Sequence, residues 1–298
     1  MRKRRFALIL MMMITIMMTA PMGAFPCAFA EDGTPEVTAE GGTQDAVKES
    51  EKSVKTDKTV DPARKYPKYK GKNAKKIAVL TYHMVVSNGK KASSRYRNSS
   101  LAVSQSTFDR QMKWLKKHGY RTICCEELYL WHEGKLKLPK KSVLITFDDG
   151  ASGVVNYALP ILKKYKMKGT TFIVGKRTVN NEKGTISYKK YKKTKKNQKY
   201  LEFQSHTYGL HHSVSKSGAY KKVKKDIKKQ NKYFDFEYLA YPYGYYNSGM
   251  IKAYKESNIK MAFTYGHNGY ATRDQSLYKI RRIKVNANES FSKFTRWF

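Results

Sequence analysis

Val143-Leu144-Ile145-Thr146-Phe147-Asp148-Asp149-Gly150 is the stretch on which the reading of this chain turns. A short apolar run predicts a buried strand, and this one ends in two adjacent carboxylates and a glycine. Side chains alternate along a strand, so Asp148 and Asp149 point in different directions unless the chain turns there. Gly150 permits that turn. Two carboxylates where a strand opens into a loop can divide labour, one holding a metal and one taking a proton from water. An Asp-Gly pair taken alone reads instead as a plain turn in which the aspartate caps nearby backbone.

A second segment changes the balance. Ser205-His206-Thr207-Tyr208-Gly209-Leu210-His211-His212 carries three of the chain's 7 histidines. It directly follows a strand-like run, Tyr200-Leu201-Glu202-Phe203-Gln204. Neutral imidazole is the commonest nitrogen ligand for zinc-like ions. Two histidines with one carboxylate leave an open metal position for water, as a catalytic site requires. The alternative is a surface loop whose histidines bind nothing. A lone histidine would leave that alternative standing; the cluster combined with Asp-Asp-Gly tells against it.

Taken together, these segments resemble the polysaccharide deacetylases, the carbohydrate esterases that share the NodB homology domain. Thr146-Phe147-Asp148-Asp149-Gly150 and His206-Thr207 with His211 carry the first two matches. Leu239-Ala240-Tyr241-Pro242-Tyr243-Gly244 is similar to the family's third motif, and Leu277 to Val285 to its closing strand. The resemblance begins near Ile77-Ala78-Val79-Leu80-Thr81-Tyr82-His83 and runs to Phe298. No motif is specific alone; their combination and order are. The resemblance implies an α/β fold, a distorted and incomplete (β/α) barrel, and hydrolysis of acetamido groups on an N-acetylglucosamine polymer. It implies Asp148 as general base toward the attacking water, and Asp149, His206 and His211 as metal ligands. It implies that Tyr243 lends its backbone N–H to an oxyanion hole. The expected cofactor is a divalent metal, zinc first, with cobalt or nickel also suited to this donor set.

Three departures from the family pattern stand out. His206 and His211 are five residues apart rather than four, because position 210 is leucine. That spacing resembles the branch acting on poly-β-1,6-N-acetylglucosamine, with His212 as a rival ligand. Ala240 occupies a position where many members carry an arginine that orients the catalytic carboxylate. Arg282 on the last strand is the candidate replacement, and strand alternation puts Arg281 on the opposite face. The family's late catalytic histidine, its usual general acid, has no clear equivalent, since Gly266-His267-Asn268-Gly269 reads as a loop.

Rival catalytic signatures are missing. There is no His-Glu-x-x-His helix and no Gly-x-Ser-x-Gly elbow. Gly169 to Gly175-Lys176 has one residue too many for a phosphate loop, and Arg177 stands where Ser or Thr is required. Cys124 and Cys125 are expected to sit in the strand of Arg121-Thr122-Ile123 and read as packing residues, because neighbouring cysteines have poor geometry for a disulfide.

The N-terminal region sets the expected compartment. Arg2-Lys3-Arg4-Arg5, an apolar stretch from Phe6 to about Ala20, and Ala28-Phe29-Ala30 together read as a secretory signal peptide over 1–30. An uncleaved anchor helix is the alternative. Residues 31–72 are rich in Glu, Thr, Lys, Gly and Asp, too polar to offset ordering entropy, and are expected to be a disordered linker. Residues 73–298 then form the deacetylase domain, long enough for one sizeable core.

Within that domain strands and helices alternate, which argues for a parallel α/β arrangement. Strands are expected at Ile77–Tyr82, Val143–Phe147, Thr170–Val174, Tyr238–Tyr241, Met261–Thr264 and Lys279–Val285. Helices are expected after a cap at Ser106, over Val154–Tyr165 with a bend at Pro160, and along the face Tyr220, Val223 and Ile227. Barrel enzymes place their chemistry at the C-terminal ends of strands, where these motifs fall.

Charge is the second unusual feature. The formal net charge is +37, with lysines crowded over 183–199 and 221–232. A charge run is usually a solvated face, but an excess this large attracts polyanions. The expected partners are therefore the N-acetylglucosamine polymer and an anionic surface of Gram-positive type, teichoic acid included, around a secreted monomer. A specific nucleic-acid role is not expected, since no recognised module is present. A binding protein that kept the fold and lost catalysis is the main alternative.

Overall fold

The structure, a computed structural model, describes residues 66–298. The expected signal peptide and the expected linker up to residue 65 lie outside the described residues. Of the remaining linker, Tyr66 packs against the core and its phenol donates to the Glu126 carboxylate at 2.7 Å. The strands are β1 (Lys76–Tyr82), β2 (Met84–Val86), β3 (Ala102–Ser104), β4 (Arg121–Thr122), β5 (Ser142–Phe147), β6 (Gly169–Ile173), β7 (Leu201–Ser205), β8 (Tyr238–Ala240), β9 (Met261–Asn268), β10 (Ala271–Thr272) and β11 (Ile280–Lys284). The helices are α1 (Asn88–Ala92), α2 (Ser94–Arg97), α3 (Gln105–Lys117), α4 (Cys125–His132), α5 (Leu159–Tyr165), α6 (Gly175–Val179), α7 (Tyr188–Asn197), α8 (Ala219–Gln230), α9 (Ser248–Lys255) and α10 (Phe291–Thr295).

The main sheet closes on itself. β1 pairs in parallel with both β5 and β11, and the rest of the ring runs β11-β9-β8-β7-β6-β5. Seven parallel strands therefore form the barrel, one fewer than the eight of a full (β/α) barrel. The ring is distorted where the register between β9 and β11 slips around Ile280 and Arg282.

Strand alternation sorts the side chains into two layers. Ile77, Val79, Leu144, Phe172, Tyr238, Ala240, Met261, Phe263 and Ile280 share the interior cluster. Their neighbours Ala78, Leu80, Val143, Ile145 and Phe147 face outward and pack with Phe108, Met112 and Leu115 of α3 and Leu159 and Leu162 of α5. A separate outer cluster joins Val223 and Ile227 of α8 to Met250 and Tyr254 of α9 over Leu239 and Ala262. α4 covers the N-terminal end of the barrel: Leu128 and Trp131 belong to the interior cluster, and the Trp131 indole donates to the Ala74 carbonyl at 3.1 Å.

Four local expectations change. The cap of α3 is Ser104, whose hydroxyl accepts from the Thr107 N–H at 3.1 Å, because the chain leaves β3 directly into the helix. Cys124 and Cys125 do not extend a strand; they open α4, where the Glu127 carboxylate accepts from the Cys124 N–H at 3.0 Å. Both thiols are free. The helix over Val154–Tyr165 begins as a widened π-turn at Val154–Ala158 before α5. Pro160 has no N–H and crowds the preceding turn, so the irregularity lies upstream of it. Finally, His267 falls in β9, which runs on to Asn268, and not in a loop.

Tyr82 ties the barrel to α3: it is fully buried and its hydroxyl donates to the Gln111 side-chain oxygen at 2.9 Å. Tyr82→Phe leaves that buried acceptor unpaired and is expected to cost about 1–3 kcal/mol, read from the urea midpoint at unchanged m-value.

Candidate active site and metal centre

Strand alternation brings Thr146 and Asp148 to the inner face at the C-terminal end of β5, and Arg282 to the inner face of β11. The two meet. Arg282 is 1% exposed and Asp148 2%. The guanidinium donates to both carboxylate oxygens, Nη1 to Oδ1 at 2.8 Å and Nη2 to Oδ2 at 2.7 Å. It is held from behind by the Thr264 carbonyl at 2.9 Å and the Thr146 hydroxyl at 3.2 Å, with the Phe172 and Phe263 rings alongside. Such a two-pronged pair fixes position as well as charge. Arg281 is exposed on the other face. Ala240, where the expected arginine is missing, faces the same interior.

Asp149 leaves the strand direction at once. Its φ is 68°, and that of Gly150 is also 68°. A side chain at Gly150 would press on Ile173, with contacts of 3.0–3.2 Å from a Cβ to its side chain and Cα. Only glycine suits that position, and the turn swings the Asp149 carboxylate to the barrel rim. There it meets both histidines: His211 Nε2 at 2.7 Å and His206 Nε2 at 3.4 Å. The three donor atoms lie within 4.8 Å of one another. His206 commits Nδ1 to the Ala240 carbonyl at 2.8 Å, which leaves Nε2 facing Asp149. A ring nitrogen anchored to a carbonyl is the usual way a ligand histidine is oriented. One carboxylate and two imidazoles in this arrangement fit a divalent ion with open positions. His212 is exposed, its ring bonded to the Ser213 carbonyl, and is not part of the group.

The loop between the histidines is braced by α8. Thr207 has φ 69°, and its N–H donates to the Ser205 hydroxyl at 3.0 Å. Ser205 in turn donates to Gln230. The Tyr208 and Gly209 N–H groups both donate to the buried Asp226 carboxylate, each at 2.8 Å. Tyr243 closes the far side with φ 56° and 53% exposure, its hydroxyl 3.4 Å from His211 Nδ1. Asp149, Thr207 and Tyr243 are three of the five non-glycine residues with positive φ among the described residues. Backbone strain thus gathers at the three motif loops.

Two residues near the site received no catalytic role in the sequence. Arg177 of α6 reaches His211 Nδ1 at 3.3 Å. His83 follows directly on β1, and its ring packs edge-on against Tyr265 at 5.4 Å. It lies in the field of Asp148, Asp149 and His206, and burial pulls its pKa below the ordinary imidazole value despite the two carboxylates. The signal was present: His83 stands at the C-terminal end of a barrel strand, where barrel chemistry collects. The side chain of His267 is not described.

These motifs have relatives. A sequence profile of the polysaccharide deacetylases matches residues 135–262. The poly-β-1,6-N-acetyl-D-glucosamine N-deacetylase of Staphylococcus aureus is 33% identical over 264 residues, which cover 80% of this chain and 87% of that protein. The chain belongs to the polysaccharide deacetylase family. A putative polysaccharide deacetylase of Bacillus subtilis is 31% identical over 225 residues, covering 74% of this chain and 75% of that one. Among solved structures, the Streptococcus pyogenes deacetylase PplD in complex with acetate superposes with a TM-score of 0.64 at 28% identity, covering 74% of this chain and 97% of its own. IcaB from Ammonifex degensii gives 0.63 at 25% identity, covering 76% and 97%. This polysaccharide deacetylase is accordingly a carbohydrate-directed hydrolase with the barrel of its relatives.

Burial pushes the Asp148 carboxyl up, but Arg282, His206 and His83 outweigh it and hold it below the usual carboxylate range. Arg282→Met removes the largest of the opposing charges and leaves the burial. Asp148 then titrates above its ordinary value, and its ionised form destabilises the fold at neutral pH. A loss of about 3–5 kcal/mol is expected at pH 7, shrinking as pH falls and Asp148 takes up its proton. Denaturant curves at pH 7 and pH 4 measure the difference; a loss independent of pH would contradict the pairing argument.

Proposed function

We propose that this deacetylase is a secreted, divalent-metal-dependent enzyme that removes N-acetyl groups from β-1,6-linked N-acetylglucosamine polymer. The observation that carries this reading is the convergence of Asp149, His206 and His211 beside a buried Asp148 clamped by Arg282. The substrate assignment rests on the five-residue histidine spacing and on likeness to the staphylococcal enzyme of that name. Secretion is supported by the basic, apolar and small-x-small sequence of residues 1–30.

Asp149, His206 and His211 would hold the ion; zinc, cobalt and nickel all suit two imidazoles and a carboxylate. When bound, the ion supplies Lewis acidity to the amide carbonyl and to the attacking water. Asp148, favoured in its ionised form by Arg282 and the neighbouring imidazoles, takes the proton from that water. Arg282 keeps the carboxylate aimed and charged as it does so. The Tyr243 backbone N–H is the expected donor to the charge that develops on the carbonyl oxygen. Water adds to the carbonyl carbon, the C–N bond breaks, and acetate and a sugar amine result. The amine needs a proton, and His83 is the imidazole outside the ligand set that lies in the field of Asp148. Burial lowers its pKa, so it rests neutral; the proton it passes to the amine is the one Asp148 took from the attacking water, and its charged form gives that proton up readily.

The binding-protein alternative drew on a missing arginine and a missing acid. The two-pronged bond of Arg282 to Asp148 supplies the first, and His83 is our candidate for the second, which favours the enzyme.

Acetate release from β-1,6-linked, β-1,4-linked and peptidoglycan substrates, with zinc, cobalt or chelator, tests the reading. Metal-dependent release from the β-1,6 polymer above the other two is expected; release from β-1,4 polymer alone would overturn the substrate assignment. Asp148→Asn is expected to bind metal normally by calorimetry while losing about 10²–10⁴-fold in kcat/KM. His83→Gln is also expected to retain metal, with a smaller loss. Metal lost together with activity in Asp148→Asn would make Asp148 a ligand and not the base.

A further inference from the structure

The two most lysine-rich segments fold into neighbouring helices on the outside of the barrel. α7 joins β6 to β7 and α8 joins β7 to β8, so they flank β7. Each carries six lysines and neither contains an arginine. α7 has no acidic residue, and the single acid of α8, Asp226, is buried and spent on the Tyr208 and Gly209 N–H groups. Of the twelve lysines only Lys224 is partly buried; the rest are exposed. Lys195 pairs with Asp235 at 2.7 Å. The helices are knit together where Tyr191 of α7 packs on Phe234, just past α8, at 5.2 Å. The result is one basic belt, about 15 Å long on α7 and about 18 Å on α8.

This surface works against the fold. Lys189 and Lys193, Lys192 and Lys196, and Lys221 and Lys225 are like charges at i,i+4, a destabilising spacing that no acid on either helix offsets. A solvated face needs no such arrangement, whereas a bound polyanion relieves it. The chemistry narrows the partner. Lysine without arginine offers point charges and no planar two-pronged or stacking contact, which suits phosphodiester groups. The apolar faces of both helices, Tyr191, Val223 and Ile227, are buried in the cores, and the half-exposed Tyr188 and Tyr220 rings lie under Lys192 and Lys252, so no aliphatic stripe is left to insert into a bilayer.

We infer that the outer faces of α7 and α8 form a docking surface for a flexible polyol-phosphate polymer of the cell wall, of the teichoic acid type. It holds the enzyme at the wall through charge, independently of the catalytic end. Binding is driven by counterion release and weakens steeply with salt.

The test measures binding of the purified protein to lipid-free poly(glycerol phosphate) between 50 and 200 mM salt. Duplex DNA at matched phosphate concentration and phosphatidylglycerol vesicles serve as comparators. A belt variant carries Lys→Gln at 189, 193, 196, 221 and 225. A control variant carries Lys→Gln at 113, 117, 135, 137 and 140, five exposed lysines outside the belt that give the same net charge. The belt variant is expected to lose at least tenfold in affinity with a shallower salt dependence, and the control less than threefold. Polymer should also raise the Tm of the parent and the control but not of the belt variant. Equal losses in both variants would reduce the effect to net charge and overturn the inference. So would tighter binding to DNA or to vesicles, or no binding to polymer at 50 mM salt.

Discussion

The pairing of Asp148 with Arg282 is the constraint around which the catalytic end of this barrel is arranged. Neither charge tolerates that interior alone, since burying an unpaired ion is costly. Arg282 brings the charge from β11 across β1 to the end of β5, and the Thr264 carbonyl and Thr146 hydroxyl take up two more of its donors. The pair adds little net stability compared with an apolar core of the same shape. What it secures is position: Asp148 has one place to be. Once that carboxylate is committed inward, Asp149 can serve the rim only if the backbone reverses. The positive φ of Asp149 and Gly150 is the consequence.

A similar logic governs the histidine loop. The five-residue spacing lengthens the chain between His206 and His211, and a longer loop has more freedom to lose. Asp226 and Gln230 of α8 remove that freedom by engaging Tyr208, Gly209 and Ser205. The inner edge of α8 therefore positions the site while its outer edge carries the basic belt. One helix links the rigid catalytic end to a surface that is electrostatically unsettled. Lys229 belongs to both, since its charge favours the ionised form of Asp226 that braces the loop.

The strands and the motif residues were legible in the sequence because each depends on local pattern. Apolar alternation located the strands to within a residue or two at most ends, and the Asp-Asp-Gly and His clusters are compact in sequence. The errors fell where a local signal competes with tertiary context. Ser106 looked like a cap, yet Ser104 is the residue that leaves β3. Cys124 and Cys125 looked like a strand's continuation, yet the barrel end needs a covering helix there. Gly266 and Gly269 made His267 look like part of a loop, yet pairing with β11 carries β9 through it. His83 went unassigned because its importance depends on what lies across the barrel mouth.

By itself the sequence determined the fold class, the order of the strands, the residue types at the site and the excess of positive charge. These follow from periodicity, short motifs and composition, all of which are properties of neighbouring residues. Only the tertiary structure decided that seven strands close into a ring, that Arg282, a candidate in the sequence, does reach Asp148, and that the lysines of two separate segments fall on adjoining helices. Each of those is a contact between residues tens to more than a hundred positions apart. Such contacts are set by how a closed sheet fixes register and which face each strand turns inward, and no local pattern encodes that.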